Sequence, residues 1–361
     1  MSFLFDKAPQ RVYWELTRAC DLACRHCRAE AIPSRDSREL GTAEALRLLD
    51  QLLTFGPRPP HVILTGGDPL KRPDLLALVE HARKAGLPVL VAPSVTPLLT
   101  REKLQALKVA GVETMSLSLD GSTAERHDGL RQVPGTFFRT LEAIRDILDA
   151  GIQLQINTLV TQETLTDIEE IHRLVTLLGV PRWSLFFLIT VGRGRLLGQL
   201  SPEECEALFH WVYDRSREGG TAVTTTEAPH YRRVALQRLA AERRNGEGSR
   251  NDHLRRGFGI RDGNGVMFIS HTGEVHPSGF LPLAAGNVKY ESPIEIYRDS
   301  KLFQSLRQPD RFEGRCGRCE FRSICGGSRA RAYAATGNPL ASDPLCMYEP
   351  ANATSVAEIS M

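Results

Sequence analysis

Cys20-Asp-Leu-Ala-Cys24-Arg-His-Cys27 puts three thiols on one short segment with the spacing C-x3-C-x2-C. Three thiolates on a tight loop suit a cubane [4Fe–4S] cluster and leave its fourth iron without a protein ligand. Plain structural thiols or a zinc site are the alternatives for such a group. Near the other end, Cys316-Gly-Arg-Cys319-Glu-Phe-Arg-Ser-Ile-Cys325 and a distant Cys346 give C-x2-C-x5-C-x20-C. Four thiolates can ligate a cluster fully, or hold a tetrahedral zinc. Cys205, the eighth, stands alone on a helical stretch and reads as structural.

The elements that must position these groups follow from the apolar pattern. Short apolar or alternating runs predict strands at Val12–Thr17, His61–Leu64, Val89–Ala92, Met115–Leu119, Leu154–Val160 and Trp183–Ile189. Between them, helical periodicity covers Thr42–Leu53, Pro73–Ala85, Arg101–Val109, Phe137–Ala150, Leu165–Leu178 and Ser201–Arg217. Thr42 with Ala43-Glu44 and Pro73 mark starts, and Gly86, Gly151 and Gly179 mark ends. Six β-α units in succession imply an α/β fold with a parallel sheet, open or curled toward a barrel. In such sheets ligands collect at the C-terminal strand ends, which is where the first Cys group falls.

The pattern changes after residue 220. A helix is expected over Tyr231–Arg244, then a polar linker or mobile loop over Asn245–Asp252. A hairpin follows, Val266–Ser270 and Glu274–His276 joined by His271-Thr-Gly273, and a short helix near Ser300–Leu306 leads to the second Cys group. The expected division is a core over residues 1–225, a helical linker over 226–262 and a small C-terminal domain over 263–361.

Composition excludes little but is consistent. The chain has 361 residues, is 42% hydrophobic and 24% charged, and carries a formal charge of +2. Those are the values of an ordinary globular protein, with no reason to expect nucleic acid or an acidic membrane surface as partner. No apolar run approaches a membrane span, and Asp6 interrupts the one at the start, so the expected location is the cytoplasm. There Cys residues are not expected to pair as disulfides. Of the 45 basic residues seven are Lys and 38 are Arg. Base composition explains such a bias, and so does a need to grip carboxylates bidentately.

The C-x3-C-x2-C motif, its place after the first strand and the six β-α units resemble the radical S-adenosylmethionine (SAM) superfamily. The resemblance implies a partial (β/α)6 barrel whose first cluster, held by Cys20, Cys24 and Cys27, binds SAM at its open iron. Thr65-Gly66-Gly67-Asp68-Pro69 is similar to the family's Gly-Gly-Glu-Pro segment, with Asp in place of Glu. Its backbone would approach the SAM amino group. Alone, Gly66-Gly67 reads equally as a strand-to-helix turn, and Asp120-Gly121 as a turn or cap. Ser118, Asp120 and Asn157 resemble polar positions of the SAM pocket, and Arg193 and Arg195 follow the sixth strand, where they face either a carboxylate or solvent. His26 matches a place where the family packs an aromatic on the adenine, and Tyr13 and Trp14 divide between core and cavity. His230 and Tyr231 stand between the domains, in structural roles or against substrate.

Cys316, Cys319, Cys325 and Cys346 resemble the outer cluster of the SPASM and "twitch" extensions, which implies one auxiliary [4Fe–4S] cluster. A second is not expected, because Ser278 and Ser328 stand where it would need Cys. Cys325-Gly-Gly-Ser-Arg-Ala-Arg-Ala-Tyr333, Gly279-Phe-Leu-Pro282 and Ala285-Gly-Asn287 resemble enzymes acting on tetrapyrrole side chains, the heme d1 and alternative-heme enzymes. The implied activity is oxidation or decarboxylation of propionates, with an external reductant such as flavodoxin or ferredoxin. Peptide maturation and small-molecule oxidation are the alternatives.

Overall fold

The structure, a computed structural model, describes residues 4–246 and 257–350. Residues 247–252 of the expected linker lie outside the described residues. The six expected strands form as β1 (Arg11–Glu15), β2 (His61–Thr65), β3 (Val89–Val91), β4 (Thr114–Ser118), β5 (Gln153–Val160) and β6 (Arg182–Phe187). Each pairs parallel with the next, and β6 pairs parallel with a seventh strand, β7 (Ala222–Thr226). Apolar periodicity misses β7 because only Val223 of its Ala-Val-Thr-Thr-Thr is buried; the threonines turn to solvent and to the cavity described below. Their β-branching was the available signal.

The expected hairpin is present as β8 (Val266–Ile269) and β9 (Glu274–His276), with β10 (Gly286–Asn287) added antiparallel. β8 pairs parallel with β1, register Arg11↔Val266. The result is one ten-stranded sheet in the order β10-β9-β8-β1-β2-β3-β4-β5-β6-β7. This sheet therefore runs from the β-α units into the segment after residue 262. Its inner face is concave: Tyr13, Ile63, Leu90, Ser116, Asn157, Phe186 and Thr224 line one cavity.

Helices α1 (Thr42–Leu53), α2 (Leu75–Lys84), α3 (Arg101–Val109), α4 (Ala124–Arg131), α5 (Thr136–Asp149), α6 (Gln162–Leu165), α7 (Ile168–Leu177), α8 (Pro202–Arg215) and α9 (Tyr231–Arg244) connect the first strands. Their apolar stripes, such as Leu75, Leu78, Val79 and Ala82 of α2, are buried against the outer face of the sheet. Thr42 is the first helical residue rather than the cap. Gly41 takes that place, Glu44 reaches back to its N–H at 2.7 Å, and the Thr42 hydroxyl donates to Asp74. The helix expected over Leu165–Leu178 begins instead at Ile168, after Asp167, whose carboxylate accepts from the Ser122 N–H and hydroxyl at 2.7 and 2.6 Å. Helix α4 escapes periodicity altogether, because its buried face is His127, Leu130 and Arg131, polar where a stripe would be apolar. Among the described residues no helix is long and apolar enough to cross a membrane.

Candidate active site

The Cys20 loop leaves the C-terminal end of β1 and is closed at its base. The Cys20 N–H donates to Ile32 O at 2.9 Å, the Ile32 N–H to Arg18 O, and Arg18 Nη2 to Glu30 O. All three thiols line the large cavity inside the curled sheet, about 1150 Å³. Each sulfur has a polar neighbour. Leu22 N–H and Ser94 Oγ lie 3.4 Å from Cys20 Sγ, Ala31 N–H donates to Cys27 Sγ at 3.4 Å, and Arg131 Nη1 reaches Cys24 Sγ at 3.6 Å. At Cys20 burial outweighs these donors and raises the thiol, so iron must displace its proton on binding.

Gly66 and Gly67 also line the cavity, but their glycine character answers first to the chain beside them. A Cβ on Gly66 would lie 2.3 Å from Thr17 O, and one on Gly67 2.4 Å from Ala19 O. That closeness lets the Gly67 and Asp68 N–H groups donate to Thr17 O and Ala19 O, both at 2.7 Å, and so ties the turn to the lead-in of the Cys loop. Asp68, expected against SAM, is fully buried instead and is not among the lining residues. Its carboxylate accepts from the Leu70 and Ser94 N–H groups and from Thr96 Oγ1, bracing the Ser94 loop that reaches Cys20. The shorter Asp side chain ends among these internal donors.

Ser118 and Asn157 face each other across β4 and β5 and both line the cavity. Asp120 lies just beyond, 2% exposed, and forms a buried ion pair with Arg131 while accepting from the Leu159 N–H at 2.7 Å. Burial alone would raise its pKa; the Arg131 charge, helped by the Leu159 hydrogen bond, outweighs that and holds it below the ordinary value. Arg131 thus connects Asp120 to Cys24, a link no local pattern reveals because the two partners sit 11 and 107 residues from it. His26 lines the same cavity, and burial, then Arg131, pushes its pKa down to about 4, so the ring is neutral. Tyr13 faces the cavity and Trp14 is fully buried core, which resolves that pair.

Arg195 is exposed and is not among the cavity-lining residues, so of its two expected places it takes solvent. Arg193 points inward, with buried Nε and Nη2 atoms that meet no partner, and its N–H donates to Cys27 O. The turn packs this closely because Gly192 has no side chain: a Cβ there would lie 2.6 Å from Cys27 O and Arg28 O. Tyr231 reaches the cavity, while His230 is buried edge-on against Phe209 and borders the second Cys group.

Cys316, Cys319, Cys325 and Cys346 come together around one recess, with Gly326, Gly327 and Asp343. Gly327 N–H donates to Cys325 Sγ at 3.4 Å and Arg329 Nη2 to Cys316 Sγ at 3.5 Å. Burial pushes the Cys325 thiol up to about 12 and Cys319 up to about 11, so ligation there must release protons. Among the described residues no three His, Cys, Asp or Glu side chains converge as they do on a single metal ion. A cluster spreads its thiolates over separate irons and fits four such sulfurs around a recess. Ser278 and Ser328 are both buried and both line the large cavity, joining it to the second Cys segment. Sequence reasoning passed over Glu227, which lies there in the left-handed region at φ 57° and accepts from Ser328 Oγ at 2.8 Å.

Residues 14–175 match the family model "Radical SAM superfamily". The AdoMet-dependent heme synthase of Methanosarcina barkeri is 39% identical over 343 residues, 95% of this chain and 97% of that one. The PqqA peptide cyclase of Ruegeria pomeroyi is 29% identical over 95% of this chain and 88% of its own. Among solved structures, Streptococcus suis SuiB bound to S-adenosylmethionine superposes with a TM-score of 0.74 at 18% identity, covering 95% of this chain and 78% of that one. With a three-thiol loop at the mouth of a curled parallel sheet and a relative this similar along nearly its whole length, this chain belongs to the radical SAM superfamily of enzymes.

Proposed function

We propose that this enzyme removes carboxylate from propionate side chains of an iron porphyrin, leaving vinyl groups. The observation that carries the reading is the 39% identity to a heme synthase over 95% of the chain. The cavity supports it: at about 1150 Å³ it exceeds the roughly 300–1,000 Å³ of ordinary small-molecule pockets and has room for a large planar substrate beside a nucleoside.

Cys20, Cys24 and Cys27 would hold the first cluster, with Gly66, Gly67, Ser118 and Asn157 around SAM and Asp120 acting through Arg131. Cys316, Cys319, Cys325 and Cys346 would hold a fully ligated auxiliary cluster. When bound, SAM at the first cluster supplies a hydrogen-abstracting 5′-deoxyadenosyl radical, and the second cluster a place for one electron. The substrate's balance asks for both functions. A propionate that gives up one hydrogen atom and CO2 becomes a vinyl group only when one further electron leaves. The chain's own part is to hold the carboxylates, exclude water and keep the side chain within reach of the Cys20 loop.

The test is release of 5′-deoxyadenosine and CO2 by anaerobically reconstituted, reduced protein given SAM, with and without a propionate-bearing iron porphyrin. Porphyrin-stimulated release with loss of CO2 is expected. Slow release indifferent to the porphyrin would refute the substrate and turn the search to a peptide.

A further inference from the structure

Seven arginines line the large cavity, and three are neutralised within the protein: Arg28 by Glu15, Arg83 by Glu113 and Arg131 by Asp120. Arg11, Arg182, Arg232 and Arg261 line it too and form no ion pair among the described residues. Arg11 and Arg182 stand exposed at the starts of β1 and β6. Arg261 is enclosed, only 6% exposed, and Arg232 is half-buried.

Each of these two is held by one main-chain contact that leaves most of its donors unused. Arg232 Nη1 donates to Ile324 O at 3.2 Å, and Arg261 Nη1 to Gly259 O at 3.0 Å, while Arg261 Nε is buried without a partner. Arg261 is also rigidly placed. Its guanidinium lies over the Phe312 ring at 5.1 Å, and a Cβ on Gly326 would come within 3.0 Å of its Cδ. Burial, then the charges of Arg329 and Arg232, pulls Arg261 down to about 9, against the weaker opposing influence of Cys325 and Asp262. Burial pulls Arg232 down to about 10, with Cys325 opposing it and the charge of Arg11 adding to it. Enclosed cations whose counter-charge falls short of their desolvation are costly, a cost that an entering anion relieves.

We propose that Arg232 and Arg261 form the receptor for a substrate carboxylate, with Arg11 beside them. Arg261 bridges to Gly265, whose carbonyl accepts from the Gln10 and Arg11 N–H groups, and Arg232 lies within reach of the Arg11 charge, so both sit toward the N-terminal end of β1, one strand length of about 13 Å from the end that carries the Cys20 loop. A rigid polycarboxylate gripped there by planar forks presents its opposite edge toward the first Cys group. The inference rests on the tetrapyrrole reading and adds the residues that recognise the substrate.

The test is an absorbance titration of the anaerobically reconstituted protein with an iron porphyrin bearing four propionates and with its tetra-amide. A charge-assisted hydrogen bond of about 1.5–3 kcal/mol gives the wild type a preference of about ten- to a hundredfold for the carboxylate form. The double variant Arg232→Gln/Arg261→Gln should bring that ratio near unity with iron content unchanged, and Arg232→Lys should keep part of it. A double variant that retains the wild-type ratio overturns the receptor while leaving the function standing. So does one that loses iron from the second Cys group and still prefers the carboxylate, since the arginines then serve that group. A wild type that binds neither porphyrin overturns both readings.

Discussion

Gly67→Ala tests how the first Cys group is held in place. The added methyl would lie 2.4 Å from Ala19 O and 2.6 Å from Arg18 O, both main-chain atoms that no rotamer change can move. Ordinary contact distances of roughly 3.5 Å require the two segments to part by about 1 Å. The Gly67→Thr17 and Asp68→Ala19 hydrogen bonds, each 2.7 Å, would then stretch beyond the range of about 3.2 Å. Two such bonds at about 1 kcal/mol each, with overpacking of about 1–3 kcal/mol, sum to a loss of about 3–5 kcal/mol. Because Ala19 directly precedes Cys20, the same displacement moves the first thiol away from its partners. Iron per chain after anaerobic reconstitution and the urea midpoint should both fall. Gly129→Ala is the control, since a Cβ there meets nothing within 4 Å inside helix α4. It should keep its iron and gain about 0.5–1 kcal/mol. A Gly67→Ala protein with full iron and a wild-type midpoint would falsify the claim that this approach positions the loop.

Arg131→Leu leaves the Asp120 carboxylate buried without its cation, which should cost about 3–5 kcal/mol by urea denaturation. Adding Asp120→Asn should recover part of that; no recovery would mean the pair is not coupled. Burial, then Asp262, pushes Glu227 up to about 8 from its ordinary 4.5. A raised carboxyl contributes stability that is full below the ordinary value and lost as pH rises through about 8. Glu227→Gln should therefore flatten the fall of the urea midpoint between about pH 5 and 8, and an unchanged slope would remove Glu227 from the account. Replacing Cys20, Cys24 and Cys27 by Ala should abolish SAM cleavage and about half the iron. Replacing Cys316 and Cys319 should lower iron and leave SAM binding intact; the reverse pattern would exchange the roles of the two groups.

The parallel β-α core and both Cys groups were legible because their signals are local. Strands β1 to β6 alternate or run apolar over five or so residues, and each Cys spacing lies within a few turns of chain. What escaped periodicity is polar for a reason connected with the site. Helix α4 buries His127 and Arg131 beside the Cys20 loop, and β7 turns threonines toward the cavity, so neither shows an apolar face. Asp68 and Arg195 were assigned by motif position alone. One proves to be an internal brace, and the other sits on the outside of its turn.

The sequence by itself determined the chemistry available: three thiols spaced to leave an iron open, four numerous enough to close one, and a repeating β-α frame to hold them. It could not determine which polar groups face which, because those contacts join residues far apart in the chain. Arg131 reaches a sulfur 107 positions away, and Tyr297 donates to Phe5 O across 292. Only the tertiary structure decided that four of seven cavity arginines keep no acid partner within the described residues. Charge neutralisation depends on distance in space, and a sequence records distance only along the chain.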